Sequence, residues 1–492
     1  MSEQKVIIIG AGLAGSLLAI YLAKRRIAVD VYEARGDMRR AVVSAGRSIN
    51  LALSDRGIAA LREVGMDGYM LAEAVPMYGR LIHPGSGETK LLPYSGRQGE
   101  YINSISRGGL NIALMNEAGR HPGVSFFFNE RCVDLDVNTG EAIMASGKRV
   151  SGSTVIATDG AGSAVRNAMM HGGVERFNFS QTWLEHGYKE LHIPSQDQLP
   201  EEVGYGDARF AIEPNALHIW PRHKFMMIAL PNFDGSFTCT LFLGHKATVL
   251  SPDFGRPHVE SRPAQADTQN SEAGTQNGFD KLTDEAAVRE FFHREFPDAV
   301  PLMPTLVEDF FTHPTGNLGT VKCFPWNIGG KALLLGDAAH AVVPFYGQGM
   351  NCAFEDIRIL DQLIDAHGTD WETVYEEYGR LRKVNTDAIA DMAEENFYEM
   401  RDATADPVFQ RKRALETKLE QTYPDYFSKY SMVTFREDLP YAVAKDKGNA
   451  QDQLLMTICR EAVSVDDIEL EQIIEQIRRI SPETSAVPES VR

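Results

Sequence analysis

A glycine-rich turn between two short apolar runs constrains the fold of this chain more than any other feature. The run Val-Ile-Ile-Ile at residues 6–9 is β-branched and apolar, as expected of a strand that is buried on both faces. It leads into Gly-Ala-Gly-Leu-Ala-Gly at residues 10–15, then a helical stretch over 16–25 and a second strand over 28–32. This order predicts a βαβ unit that binds a dinucleotide, rather than a glycine-rich turn in some other βαβ unit.

The three glycines of this turn have separate expected roles. Gly10 permits the tight turn, Gly12 lets the backbone approach a pyrophosphate, and Gly15 lets the helix pack closely on the strand. The helix N-terminus offers unpaired N–H groups and the positive end of its dipole to the phosphates. Glu33, at the end of the second strand, can accept both hydroxyls of an adenosine ribose, which favours NAD or FAD over NADP.

Two later segments favour FAD over NAD. A strand over residues 155–158 runs into the turn Asp159-Gly160, and a strand over 331–335 ends in Gly-Asp-Ala-Ala-His. Asp337 in the second segment can accept a hydrogen bond from a sugar-like chain, and the N-terminus of the following helix can stabilise negative charge on a reduced flat ring. A nicotinamide enzyme does not need this second site, whereas a flavin with its ribityl chain does.

These three fingerprints, in this order, resemble those of the FAD-dependent aromatic hydroxylases. The resemblance implies a non-covalent FAD and no metal. The cofactor contacts that it implies are Gly10, Gly12, Leu13, Ala14, Gly15, Glu33, Ala52, Arg107, Asp337, Gly349, Met350 and Asn351. In such a protein Asp159 would serve folding and nicotinamide use as much as FAD contact, so it ranks below the others.

Segments between the fingerprints resemble the kynurenine 3-monooxygenases within that family. The similar segments are 46–54, 79–83, 93–94, 186–191, 217–221, 345–352, 395–400 and 430–435. The resemblance implies FAD-, NADPH- and dioxygen-dependent hydroxylation of L-kynurenine to 3-hydroxykynurenine through a flavin hydroperoxide, in tryptophan catabolism and NAD biosynthesis. The substrate contacts that it implies are Arg80, Tyr94, Phe345, Asn396, Glu399 and Tyr430.

Kynurenine carries an aniline ring, an ortho ketone and an α-amino acid tail, so its site needs a carboxylate clamp and an apolar slot. Arg80 can hold a carboxylate through two hydrogen bonds at once. Strand alternation predicts that Tyr78, Arg80 and Ile82 share one face, where an unpaired guanidinium would be costly. The alternative for Arg80 alone is a surface salt bridge.

Asn396 and Glu399 are predicted to continue an apolar stripe on a helix around residues 373–400. The stripe comprises Leu381, Val384, Ala388 and Met392. Polar groups there need partners, although a solvated helix face is the alternative for Asn396. No catalytic acid or base is identified, because the aniline nitrogen itself donates electrons into the ring. Tyr346 stands where relatives have histidine or phenylalanine, and is a candidate for altering product or solvent access.

Other functions stay open on these residues. The chain could hydroxylate another anthranilate-like or phenolic acid, could reduce alkenes without oxygen chemistry, or could bind a flavin without turnover. The sequence has no second GxGxxG for a separate NADPH domain, so NADPH is expected to bind transiently over the same flavin.

Charge and cysteine content exclude several classes of protein. The 49 Lys and Arg residues against 68 Asp and Glu residues give a net charge of −19, which disfavours binding to nucleic acid or an anionic membrane. The five cysteines are scattered, which argues against disulfides and structural zinc and favours a reducing compartment. No signal peptide and no membrane-spanning run are evident, so a cytoplasmic protein is expected.

The sequence predicts an α/β protein with a Rossmann-like FAD-binding lobe, a mostly antiparallel sheet lobe for substrate and a helical C-terminal region. The predicted FAD-binding domain comprises residues 1–75, 101–180 and 320–372, the substrate domain 76–100 and 181–319, and the helical domain 373–492. The polar run 252–279 is expected to be a surface loop. A C-terminal helix over 466–480 has an apolar stripe that is either core or a self-association face, so a homodimer is an open alternative.

Overall fold

The computed structural model describes residues 5–40, 50–85, 87–200, 202–203, 209–247, 277–402 and 406–480. The predicted polar loop 252–279 lies outside the described residues except for its last three positions. So do residues 46–49 of the first segment that resembles the kynurenine 3-monooxygenases.

The described residues form 19 strands and 14 α-helices. The strands are β1 (Lys5–Ile9), β2 (Ala28–Glu33), β3 (Asn50–Leu53), β4 (Val75–Met77), β5 (Gly79–Ile82), β6 (Lys90–Pro93), β7 (Ile102–Ser106), β8 (Val124–Phe128), β9 (Cys132–Asp136), β10 (Glu141–Met144), β11 (Arg149–Val150), β12 (Thr154–Ala157), β13 (Asn178–Ile193), β14 (Ala216–Pro221), β15 (Met226–Pro231), β16 (Phe237–Gly244), β17 (Gly316–Phe324), β18 (Asn327–Ile328) and β19 (Ala332–Leu334). The helices are α1 (Leu13–Lys24), α2 (Asp55–Glu63), α3 (Asp67–Ala72), α4 (Arg107–Arg120), α5 (Ala164–His171), α6 (Glu285–Glu295), α7 (Leu306–Thr312), α8 (Asp337–His340), α9 (Gly349–His367), α10 (Trp371–Asp402), α11 (Pro407–Thr422), α12 (Lys429–Phe435), α13 (Tyr441–Glu461) and α14 (Leu470–Ile480).

A six-stranded sheet in the order β18-β19-β12-β1-β2-β8 forms the centre of the first lobe, and all of its strands except β18 run parallel. The apolar residues of β1 are almost completely buried, as a strand between two neighbours and under helices requires. Carboxyl ends of parallel strands lie at one edge of a sheet. The glycine-rich turn, Glu33, the Asp159 turn and Asp337 therefore meet at that edge, although they are distant in the chain.

A seven-stranded sheet in the order β17-β13-β16-β15-β14-β5-β6 forms the second lobe. Its strands pair antiparallel except for β14 with β5. The runs that predict a mostly antiparallel sheet lie in β14 and β16. One face of this sheet covers the carboxyl edge of the parallel sheet, and the predicted fold class is confirmed.

The C-terminal helices pack beside both sheets. Helix α14 buries Ile473, Ile474 and Ile477 in an apolar cluster that includes Leu415 and Leu419 of α11. These three isoleucines are therefore core, which removes their stripe as an argument for self-association. Within the described part of the chain, every helix is too short or too polar to cross a bilayer.

Candidate active site

A cavity of about 770 Å³ lies between the carboxyl edge of the parallel sheet and the covering face of the antiparallel sheet. This volume is within the range of small-molecule and cofactor sites. The predicted site residues that line it are Gly10, Gly12, Leu13, Ala14, Glu33, Ala52, Arg80, Tyr94, Arg107, Asp159, Asp337, Phe345, Gly349, Met350 and Tyr430. The cavity has a cofactor end, at the glycine-rich turn, and a tail end, around Arg80.

The glycines at the cofactor end meet three different environments. Gly10 has φ +102°, and a Cβ there would lie 2.6 Å from the Thr158 carbonyl oxygen. A Cβ on Gly15 would lie 2.0 Å from the Gly10 oxygen, so α1 packs against the turn at a distance that only glycine permits. A Cβ on Gly12 would meet no atom within 4 Å, because this residue faces the cavity. A diphosphate can approach the backbone closely at Gly12, because no protein atom occupies the space there.

Glu33 is held rigidly at the end of β2. The Ala11 N–H donates to Glu33 Oε2 at 2.9 Å, and Arg35 Nε donates to Oε1 at 2.8 Å. Burial alone would raise the pKa of Glu33, but the hydrogen bonds from Arg35 and Ala11 outweigh burial and lower it. The carboxylate therefore stays ionised at neutral pH and can accept hydrogen bonds from a sugar.

The start of α9 presents backbone to the cavity. Its first N–H groups have no acceptor within the helix, and Gly349 and Met350 line the cavity. The side chain of Asn351 turns away from the cavity, where its Nδ2 donates to the Ala52 and Gly347 oxygens at 2.8 and 2.9 Å. The predicted contribution of Asn351 can thus come only from its backbone, since its side chain joins β3 to the turn before α9.

The Asp159 carboxylate, beside the cavity, forms a hydrogen bond to the backbone of the next helix. Its Oδ2 accepts from the Ala164 N–H at the start of α5, at 2.8 Å. Its Oδ1 is buried without a partner among the described residues, and burial raises the pKa of this carboxyl. Asp159 thus has one structural contact at the start of α5 and also lines the cavity, and its lower rank as a cofactor contact stays a prediction.

The tail end is built around a buried guanidinium. Arg80 on β5 is 8% exposed, and its Cζ lies 5.0 Å from the centre of the Tyr430 ring and 6.0 Å from that of Tyr94. Its Nη1 donates to Glu399 Oε1 at 3.4 Å. In the described part of the molecule, Arg80 Nε and Tyr94 Oη are buried with no hydrogen-bond partner. Two adjacent unpaired donors at a cavity wall indicate that an acceptor belongs there.

Three tyrosines form a stack beside Arg80. The rings of Tyr94 and Tyr430 are 5.2 Å apart and inclined by 9°, and Tyr346 lies 5.5 Å from Tyr430 on the other side. Burial raises the pKa of all three phenols, so they remain hydrogen-bond donors at neutral pH. Tyr346 is buried in this stack rather than at the surface.

Asn396 and Glu399 of α10 lie behind Arg80. Asn396 Nδ2 donates to the Phe345 carbonyl at 2.6 Å, so this side chain fixes the turn that leads to α9. Both residues line a second, smaller cavity of about 30 Å³, which also touches Arg80, Tyr346 and Tyr430. Asn396 and Glu399 thus border the tail end without lining the large cavity.

Two predictions of side-chain orientation were wrong. Val384, part of the predicted stripe on α10, is 58% exposed, and Tyr78, predicted to share a face with Arg80, is 50% exposed. Tyr78 precedes β5, so strand alternation does not extend to it.

A charged face of α11 near the tail end was not predicted. Lys412, Glu416 and Glu420 are buried, and Lys412 Nζ pairs with Glu416 at 3.2 Å. The sequence pattern that could have revealed this face is the spacing of four residues between the three side chains. This spacing places them on one side of a helix, next to Leu415 and Leu419.

The residues present fit FAD. Arg107 and Asp337 are exposed to solvent and line the cavity, Glu33 is an ionised acceptor at the end of β2, and Gly12 leaves room for a diphosphate. A second cradle for a flat ring lies at the start of α9, as a flavin requires.

Comparison with known proteins gives the same cofactor. Residues 3–196 and 311–392 match the family model described as FAD binding domain. The chain is 44% identical to the kynurenine 3-monooxygenase of Myxococcus xanthus, over 98% of this chain and 97% of that protein. It is 40% identical to the kynurenine 3-monooxygenase of Flavobacterium psychrophilum (96% and 97% covered) and 39% identical to that of Dictyostelium discoideum (96% of each).

Solved structures share the fold at low sequence identity. The tetrameric form of 2-methyl-3-hydroxypyridine-5-carboxylic acid oxygenase superposes with a TM-score of 0.62 at 18% identity, covering 89% of this chain and 97% of that one. Klebsiella pneumoniae HpxO complexed with FAD and uric acid superposes with a TM-score of 0.60 at 19% identity, covering 85% and 93%. With the cofactor cradle and the near full-length matches together, this chain belongs to the kynurenine 3-monooxygenase family of FAD-binding proteins.

Proposed function

We propose that this protein hydroxylates L-kynurenine to 3-hydroxykynurenine with FAD, NADPH and dioxygen. The observation that carries the proposal is the pair of buried, unpaired donors, Arg80 Nε and Tyr94 Oη, at one end of a cavity whose other end fits FAD. An aromatic amino acid has both a carboxylate for these donors and a ring that reaches toward the flavin. The names of the near full-length relatives support this substrate.

At the tail end, Arg80 would hold the substrate carboxylate, with the stacked Tyr94 and Tyr430 beside it donating further hydrogen bonds. Glu399, already 3.4 Å from Arg80, would accept from the substrate ammonium group. The two charges of the tail then each meet an opposite charge in a site that excludes most water.

The ring of the substrate would lie against the apolar part of the cavity wall. That wall includes Leu217, Ile228, Leu230, Phe242 and Phe345. Bound FAD would supply electron transfer from NADPH and the activation of dioxygen. The protein would orient the ring, and no side chain has to remove a proton first, because the aniline nitrogen activates its ortho carbon. Asn396 would act through the Phe345 carbonyl that it binds.

At the cofactor end, the backbone of Gly12, Leu13 and Ala14 would face the diphosphate of FAD, and Glu33 would bind the adenosine ribose. Asp337 and Arg107 would meet the chain between the diphosphate and the flavin. The start of α9 would stabilise negative charge on the reduced ring.

NADPH would reach the same cavity, since the sequence contains no second GxGxxG. The division into FAD-binding, substrate and helical domains is part of the proposal. Each region has an apolar cluster of its own, and a further cluster that contains Ile219, Phe345 and Ile389 joins all three. Homodimer formation and a cytoplasmic location stay predictions.

The test is to purify the protein and record its flavin absorbance, then to follow NADPH oxidation with and without L-kynurenine and identify products by mass spectrometry. We expect bound FAD, stimulation by L-kynurenine and formation of 3-hydroxykynurenine. Hydroxylation of an anthranilate or phenolic acid in its place, anaerobic alkene reduction, or no turnover would each favour one of the other candidate functions.

A further inference from the structure

We propose that Glu420 is a positioning residue that aligns the two tyrosines of the substrate-tail site. The inference rests on the proposed function, because it concerns recognition of the amino-acid tail. It arises from one buried carboxylate that binds the two segments carrying Tyr94 and Tyr430.

Glu420 lies in the last turns of α11 and is buried. Its Oε2 accepts from the Gly96 N–H at 2.8 Å, and its Oε1 accepts from the Ser428 N–H at 2.9 Å. Gly96 comes just after Tyr94, and Ser428 caps the helix that carries Tyr430. One side chain therefore links two segments that are far apart in the sequence and supply facing rings of the site.

This linkage uses a property that only an ionised carboxylate has at this position. Both oxygens accept, and each bond to a backbone N–H is charge-assisted. Glutamine has the same shape, but it offers one oxygen and one NH₂ group. The NH₂ would face either the Gly96 N–H or the Ser428 N–H, so one bond would become a contact between two donors.

Further contacts hold the same two segments at short range. A Cβ on Gly96 would lie 2.4 Å from the Thr417 carbonyl oxygen of α11, so the turn after Tyr94 lies directly on the helix. Arg97 donates to the Tyr426 carbonyl, and its Cζ lies 3.8 Å from the centre of the Phe427 ring. The turn after Tyr94 and the segment before Tyr430 thus form one clasp with Glu420 at its centre.

The clasp sets the spacing between the two stacked phenol rings beside Arg80. Their separation of 5.2 Å leaves Arg80 within 6.0 Å of both ring centres. Loss of one bond of Glu420 would let one ring shift, and a shift of about 1 Å is enough to weaken recognition strongly. Glu420 itself does not line either cavity, so it acts through the tyrosines.

The experiment compares Glu420→Gln with wild type in a titration of the FAD-loaded enzyme with L-kynurenine, followed by flavin fluorescence. We expect Kd for L-kynurenine to rise about tenfold, and KM to rise more than kcat falls, with FAD affinity unchanged. The matched control is Asp309→Asn, which changes another buried carboxylate: Asp309 lies on α7, away from both cavities, and accepts a hydrogen bond from Thr305 just before that helix. The control should bind L-kynurenine as wild type does.

A double-mutant cycle with Tyr94→Phe separates positioning from general loss of stability. If Glu420 acts through the tyrosines, the double variant should lose clearly less affinity than the sum of the two single losses. Additive losses, an unchanged Kd in Glu420→Gln, or a parallel loss of FAD would each overturn the proposal.

If Glu420→Gln fails to fold, Arg97→Gln tests the same clasp from its more accessible side and should also weaken L-kynurenine while leaving FAD bound. An unchanged Kd in that variant would overturn the proposal as well. A wild-type enzyme that does not bind L-kynurenine would instead refute the proposed function, and with it the positioning role that depends on that function. Wild-type binding together with unaffected variants refutes the positioning role alone.

Discussion

The two ends of the large cavity are built from different parts of the chain. The cofactor end consists mainly of backbone at the edge of the parallel sheet, where Gly12 leaves open space and the start of α9 presents N–H groups. The tail end consists of side chains. Arg80 from β5 lies against the rings of Tyr94 and Tyr430, which come from the segments beside α11, and donates to the carboxylate of Glu399 on α10. Each segment of the first end has a recognisable pattern in contiguous residues, whereas the tail end shows no such pattern and comes together only through tertiary packing.

This difference predicts how each end fails. The cofactor end depends on glycines that have no side chain, so a side chain added at these positions should disrupt the backbone geometry or block the cofactor. At the tail end, buried charges depend on one another, and removing one partner leaves the other uncompensated. Substitutions at one end should therefore leave ligand binding at the other end nearly intact.

The largest expected effect is loss of FAD from Gly15→Val. A Cβ at Gly15 would lie 2.0 Å from the Gly10 oxygen and 2.6 Å from Thr158 Oγ1, so α1 must move away from the turn. We expect no FAD to be retained through purification, measured as the ratio of flavin to protein absorbance.

Gly12→Ala is the matched control for that variant. Its Cβ would meet no protein atom within 4 Å, so the melting temperature of the apoprotein should stay unchanged while FAD binds more weakly. Full FAD retention in Gly15→Val, or a Gly12→Ala apoprotein that unfolds, would contradict the separate roles of the two glycines.

The second effect is at the tail end. Arg80→Ala should weaken L-kynurenine binding by about 2–5 kcal/mol, because it strands Glu399 and the substrate carboxylate without their cation. Arg80→Lys should recover only part of that loss, since an ammonium group cannot bind both oxygens in a planar fork. Flavin fluorescence titration measures both variants, and their FAD content should equal that of wild type.

Decarboxylated kynurenine provides the internal control. It should bind wild type and Arg80→Ala almost equally, which assigns the loss to the carboxylate contact. Unchanged affinity for L-kynurenine in Arg80→Ala would remove Arg80 from the site.

The same contrast explains what the sequence could predict. The strand, turn, helix and acid from Lys5 to Glu33 are contiguous, and each has a local physical requirement, so this unit and the fold class were predicted correctly. At the tail end, Arg80 was predicted from family resemblance and from its position in a strand, and its role stays a prediction. The link from Glu420 to Gly96 and Ser428 was not, because no local pattern encodes contacts between segments that are far apart in the chain.

The error on α10 has a specific cause. The buried face of this helix is rotated toward Ile389 and Ala393 and includes the polar residues Arg382 and Thr386. Arg382 is buried because its Nε donates to Asp356 of α9 at 2.7 Å. An apolar pattern omits such residues, so the predicted stripe was displaced toward Val384.

A smaller effect is expected from Asn396→Ala, which removes the donor to the Phe345 carbonyl. The loss of this buried hydrogen bond should cost about 1–2 kcal/mol of stability and loosen the turn before α9. Because that turn forms part of the wall beside the proposed flavin ring, we expect more of the consumed NADPH to yield hydrogen peroxide instead of hydroxylated product. Peroxide and 3-hydroxykynurenine are measured in the same reaction, and an unchanged ratio would show that the turn does not need this bond.

The smallest expected effect is that of pH on the tail end. Burial raises the pKa of Tyr94 and Tyr430, so both phenols stay protonated as pH rises through neutrality. Behind Arg80, the carboxyl of Asp452 keeps its charge, since Lys412 and Lys429 outweigh burial and lower its pKa. A lowered carboxyl pKa means that this stabilising charge is lost only as pH falls below the usual range of an aspartate. Kd for L-kynurenine should therefore change by less than about twofold between pH 6 and pH 8. A tenfold change in that interval would require a group in contact with the tail that titrates between pH 6 and pH 8. It would contradict the view that the charges of the tail end stay constant over this range.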